Sequence, residues 1–144
     1  MSKKEFDEIT KSIHSDIKSV DTCLYEYYVD LIKYSAYADN GGTKVHTVIC
    51  TEGRTYIDVI QYTFACIYNS IDKLVKYIND EVKYDKIGEA EIKQLILQNN
   101  PKITELNAKF LEYKNWEESI TKKVQENTSV EKKENADYIK SVIF

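Results

Sequence analysis

Residues that break helices or build sites are scarce in this chain. Of 144 residues, four are glycine and one is proline, so long stretches run without interruption. Cysteine occurs three times, at 23, 50 and 66, widely spaced and without a C-x-x-C pair. That pattern suggests neither a disulfide framework nor a zinc site, and leaves buried, reduced thiols as the expectation. No apolar run approaches the roughly 20 residues of a membrane span, and no leader-like stretch follows the first residues, so no membrane contact and a cytoplasmic location are expected. The acids outnumber the bases for a net charge of −4, and lysines and acids alternate along the whole length. No basic face is available for a phosphate backbone, which argues against nucleic acid as a partner. Arginine occurs once, at Arg54, among 20 basic residues, a bias that with common Ile, Asn and Lys points to a low-GC bacterial or phage genome.

What the chain has in excess is tyrosine. There are 12, five of them between residues 25 and 37. A tyrosine joins a large apolar body to a polar tip, so it suits half-buried positions and contact surfaces alike. With 42% apolar residues the chain can build a core unaided, and its length fits a single helical domain over 1–144.

Periodicity assigns the fold class as all-α. From Phe6 the apolar residues recur at 9, 13, 17, 20, 24, 27/28, 31 and 34, the three-and-four stepping of one helical face. This predicts a helix over about 3–38, either continuous in an elongated bundle or broken near Ser19, Val20, Asp21 and Thr22. Asp39, Asn40, Gly41 and Gly42 end it, because Asn and Gly accept the left-handed backbone of a helix C-terminus. Residues 43–54 are rich in Val, Ile and Thr and read as an extended segment or short hairpin turning at "CTEGRT". A second helix is expected from about Thr55 to Val82 or Tyr84, with Ile57, Ile60, Phe64, Ile67, Ile71, Leu74 and Ile78 inward.

Lys86, Ile87 and Gly88 read as a break, followed by a short helix over 89–98 facing inward with Ile92, Leu95 and Ile96. "QNNP" reads as a helix start, with Asn100 as cap and Pro101 in the first turn, where its missing N–H costs nothing. The last long helix carries Ile103, Leu106, Phe110, Tyr113, Trp116 or Glu117, Ile120 and Val124. It is expected to fray in "QENTSVEKKEN", after which Thr128 and Glu131 cap a terminal helix bearing Tyr138, Ile139, Val142 and Ile143. The expectation is therefore an elongated antiparallel bundle of three long and about two short helices, with self-association through a long helix as one outcome.

Chemistry-bearing residues are few. Gly41, Gly42, Thr43 and Lys44 follow a helix rather than a strand, which removes the context a phosphate-binding loop requires. No histidine follows Arg54, E-x-x-H pairs are missing, and His14 reads as a helix-flank residue, so catalytic residues, metal ligands and cofactors are all expected to be none. Glu26 and Asp30, one turn apart, read as a solvated face. Three function classes remain, one of them a structural coiled-coil subunit of a larger particle. The leading one is a non-enzymatic protein acting on another protein as a regulator, immunity protein or phage-encoded inhibitor, or as a homo-oligomer. Its interface would use the tyrosines that fall off the core stripes: Tyr25, Tyr37, Tyr62, Tyr68 and Tyr77. The alternative binds, or acts as an enzyme on, a small anionic or nucleotide ligand through 39–60. There the planar fork of Arg54 sits before a helix N-terminus beside the Thr55 hydroxyl, and His46 and Tyr56 complete the candidate ligand-binding set.

Overall fold

A computed structural model describes residues 1–80 and 88–143. Among these residues it contains three helices and no strands: α1 (Lys3–Asp39), α2 (Tyr56–Asn79) and α3 (Glu89–Ile143). At 1.5 Å per residue they are about 55, 36 and 82 Å long. The expected end of the second helix at Val82 or Tyr84, and the break at Lys86 and Ile87, lie outside the described residues, as does the side chain of Ile143.

α1 is continuous through Ser19–Thr22, because Val20, Cys23 and Leu24 are buried there and hold the stripe in register. Ser2 caps its start by accepting from the Glu5 N–H at 3.2 Å. Its end is a Schellman turn. The Gly42 N–H reaches back to the Tyr37 carbonyl and the Gly41 N–H to that of Ala38, with Gly41 in the left-handed region at φ 83°.

The helices run up, down, up. α1 and α3 are parallel, since Tyr27, Tyr34 and Ala38 bond in that order to Glu117, Thr121 and Asn127. α2 runs against both, pairing Tyr56 with Asp30 at one end and Tyr68 with Asn107 further along. One hydrophobic cluster gathers Tyr27, Leu31, Ile60, Phe64, Leu106 and Val124 among others, and a smaller one holds Phe6, Ile13, Leu74, Ile92 and Leu95. Ile17 and Ile71 touch both.

The two expected short helices are absent as separate elements, because α3 runs unbroken through both expected stops. Pro101 lies inside it rather than at its start. The missing N–H orphans the Leu97 carbonyl, but Leu97 is 71% exposed, so water can reach that carbonyl. The apolar seam also stays in phase across the proline, from Ile92 and Leu95 through buried Asn99 to Ile103 and Leu106. Asn99 turns its side-chain N–H₂ onto the Leu95 carbonyl at 2.8 Å. Nor does Thr128 cap a new helix. It sits mid-helix, its hydroxyl bridging the carbonyls of Val124 and Thr43.

Residues 40–55 form a strap over the end that α2 leaves uncovered. It is extended but pairs only at one bridge, Ile49 with Thr55. The turn at Cys50 closes with the Gly53 N–H on the Cys50 carbonyl and the Cys50 N–H on Arg54, both at 2.9 Å, and Gly53 takes φ 79°. α3 fastens the strap: the Asn127 side chain donates to the carbonyls of Ala38 and Gly42 at 3.0 and 2.9 Å. Tyr37 folds under it, accepting from the Lys44 N–H at 3.0 Å.

A Cβ on Gly42 would lie 2.3 Å from the Tyr37 ring. Gly42→Ala must therefore push the ring off its seat, and is expected to lower stability by about 1–3 kcal/mol in urea denaturation. In a Tyr37→Ala background the same change should cost far less, so additive losses would show that the ring is not what Gly42 accommodates.

Candidate functional site

The residues proposed for an anion site are separated by the turn at 50–53. Arg54 uses its backbone carbonyl to accept from the Cys50 N–H and thiol, and its side chain points into solvent. Among the described residues the guanidinium has no ion pair or hydrogen bond, and Arg54 lines neither the hollow that His46 shares with Tyr34 and Lys33 nor the one it shares with Thr55. His46 packs edge-on against Tyr37 and Tyr34, with ring centroids 4.2 and 5.9 Å apart. The hollow it shares with Thr55 is also lined by Asp58 and Glu117, two carboxylates that disfavour an anion. Thr55 caps α2, accepting from the Asp58 N–H at 3.2 Å. Tyr56 is buried, donates to Asp30 at 2.7 Å and stacks on Tyr27 at 5.2 Å.

Beneath the strap lies a column of buried tyrosines with satisfied hydroxyls. Tyr27 donates to Glu117 at 3.1 Å, and Tyr34 meets the Thr121 hydroxyl at 3.1 Å. Burial, then the neighbouring carboxylates, push the Tyr27 and Tyr56 phenols well above their ordinary range, so both stay neutral donors. Glu117 pays for the arrangement: burial raises its pKa above the usual 4.5, only partly offset by the bond from Tyr27. Cys23 and Cys50 are buried free thiols and Cys66 is half-buried; burial first, then Cys50, Glu26 and Glu52, pushes Cys23 up to about 12. No cluster of three metal-ligating side chains occurs among the described residues, and no described helix is long and apolar enough to cross a membrane.

The five tyrosines proposed for an interface divide by environment. Tyr37 is half-buried under the strap, and Tyr77 is half-buried against the smaller cluster. Tyr68 stacks on Phe64 and accepts from Asn107 on the α2–α3 side. Tyr62 stands alone on the outer face of α2, 69% exposed. Tyr25, equally exposed at 69%, is different because it has company.

Asp21, Tyr25, Tyr28 and Ile32 recur at steps of four, three and four, which puts them on one stripe of α1, beside the core stripe and facing α3. Tyr25, Tyr28 and Ile32 are all exposed. Across the groove Tyr28 leans on Tyr113 and Trp116, with centroids 5.7 and 6.0 Å away, both half-buried. Asp21 and Lys109 mark the end of the groove nearer the helix N-termini. Sequence reading missed Tyr28 and Trp116 as surface residues because it allowed each as a core alternative to its neighbour. The signal that could have found the groove was the second stripe on α1.

No protein-family model, curated protein or solved structure matches this chain.

Glu117 yields a pH prediction. Its pKa is raised by folding, so its contribution to stability is fully present below the unfolded value near 4.5 and is lost as pH rises through the folded value. Glu117→Gln keeps an acceptor for Tyr27 and cannot ionise. Denaturation midpoints should show the variant gaining on the parent as pH rises from 4.5 toward 7. A constant difference across that window would place the cost elsewhere.

Proposed function

We propose that this chain is a non-enzymatic protein-binding module whose contact face is the groove between α1 and α3. The observation that carries the reading is the exposed row Tyr25, Tyr28 and Ile32 beside Trp116, the chain's one tryptophan. Apolar side chains scattered singly on a surface are ordinary, but aromatic residues gathered along one groove are the composition of an interface centre. Tyr28 and Trp116 are already held by ring contacts, so less side-chain freedom remains to be lost when a partner arrives. The polar ends supplied by Asp21 and Lys109 fit the rim of such a patch. The hollow at His46 supports a nucleotide or other anion less well, since Asp58 and Glu117 line it and Arg54 does not.

A photo-crosslinking phenylalanine analogue placed at Tyr25, and in a second variant at Tyr62, compares two equally exposed positions. Irradiation in the expressing cell should give protein adducts from position 25 and few from 62. Tyr28→Ala should weaken capture of the same adduct partner by about tenfold or more. Equal yields at both positions, or none at 25, would remove the groove as the contact face.

A further inference from the structure

We infer that the occupant of the α1–α3 groove is the projecting end of α3 from a second copy of this chain, the two copies exchanging ends about a two-fold axis. This rests on the groove being a protein-binding face. Three independent features of the fold meet in it.

The first is an overhang. The bonded pairs Tyr27 with Glu117, Tyr34 with Thr121 and Ala38 with Asn127 set α3 level with α1 at sequence offsets of 90, 87 and 89. α1 ends at Asp39, so α3 passes its end near Asn127 and continues for residues 129–142, about 20 Å of helix. Every one of those residues is exposed. Val130, Tyr138, Ile139 and Val142 are among them, each more than half exposed.

The second is direction. At about 100° per residue, Val130 and Tyr138 fall roughly 40° to either side of Trp116 around the α3 axis. The overhang therefore presents these two side chains close to the direction of the groove's Trp116, whereas Val142 and Ile139 fall about 80° and 140° from it, on the side that Val124 and Ile103 bury. The strap meets α3 at Asn127 and Thr128, then runs past Glu117 and Thr121 toward the start of α2, with Cys50 near Cys23 and Val59.

The third is length and place. The groove spans residues 21–32 of α1, about 17 Å, and its centre lies roughly 30 Å below the centre of the overhang along the shared axis. A two-fold axis perpendicular to the helices, at the level of Tyr37, superposes each overhang on the other copy's groove. Both contacts form at once and the assembly closes as an isologous dimer. Near that axis lies the Lys123–Asp39 ion pair, which carries no net charge. The overhang itself is balanced, with Glu131, Glu134 and Asp137 against Lys132, Lys133 and Lys140, so two copies are not driven apart there despite the chain's net −4.

The test uses the full chain. Light scattering coupled to size exclusion should show a dimer whose mass falls on dilution, and dilution should red-shift Trp116 emission as the groove opens to water. Tyr25→Glu and Tyr138→Glu should each weaken the dimer at least about tenfold, and Tyr62→Glu should leave it within about twofold. All three positions are exposed, and far-UV circular dichroism checks that each variant remains helical. The photo-crosslinker at position 138, in a mixture of heavy and light chains, should join a heavy overhang to a light α1–α3 groove. A monomer at every concentration overturns the exchange; adducts of position 25 with a different protein would then leave the binding face standing, and their absence would remove both. A dimer whose position-138 crosslinks fall outside the groove also overturns the exchange.

Discussion

The lengths of the three helices do not match, and most of the remaining structure follows from that mismatch. α1 has 37 residues and α2 has 24, so a third helix covers only part of the α1–α3 pair. α2 begins at Tyr56, whose hydroxyl bonds to Asp30, nine residues short of the end of α1 at Asp39. Above that level Tyr34, Ala38, Ile120 and Val124 would face water on one side. The strap supplies the missing layer by inserting Val48 beside Tyr34 and Tyr37, and lower down sets Cys50 near Cys23. It does so without strands because its backbone groups are met by α3 side chains and Tyr37 instead of a second extended segment. Asn127 therefore joins the end of α1, the strap and α3.

The tyrosine load becomes intelligible against this layering. A strap is thinner than a helix and lets water approach closer, so a purely aliphatic column beneath it would be poorly covered. Tyrosine buries a ring and turns its hydroxyl to a polar partner at the boundary, as Tyr27, Tyr34 and Tyr56 do with Glu117, Thr121 and Asp30. The arrangement has one cost, the half-buried Glu117 carboxylate. On the outer α1 stripe Tyr28 lays its ring against Tyr113 and Trp116 of α3 instead.

Periodicity made the helices and their inward faces legible. The ends of α1 and the start of α2 were also readable, since Asn40, Gly41 and Thr55 perform local backbone chemistry that needs no tertiary context. The stops proposed within α3 failed for one reason: a local breaking signal was weighed without knowing that the packing seam continued past it. Pro101 is tolerated because the orphaned carbonyl belongs to exposed Leu97, and exposure is a tertiary fact. The placement of Tyr27 inward and Tyr28 outward was likewise unreadable. They lie about 100° apart, and either suits a face until the position of α3 selects one. His46 and Arg54 share one segment of the sequence, but the left-handed Gly53 and the Cys50–Arg54 closure put the arginine outside the hollow that His46 shares with Thr55.

The overhang of α3 is the remaining consequence of unequal length. A free helix of fourteen residues would be marginal in water, because nucleation is costly and little packing follows it. Here the nucleus is already formed by the packed turns through Val124, and each further residue only propagates it, favoured by Glu, Lys and Ala. Propagation explains why the helix continues. It does not explain Val130, Tyr138, Ile139 and Val142, which propensity alone would leave as polar residues and whose exposure opposes burial of apolar area elsewhere in the chain. An uncovered apolar helix and an uncovered aromatic groove are each unfavourable in isolation. Val130 and Tyr138 of the one lie within about 40° of Trp116 in the other, so the proposed contact between copies would relieve the two together.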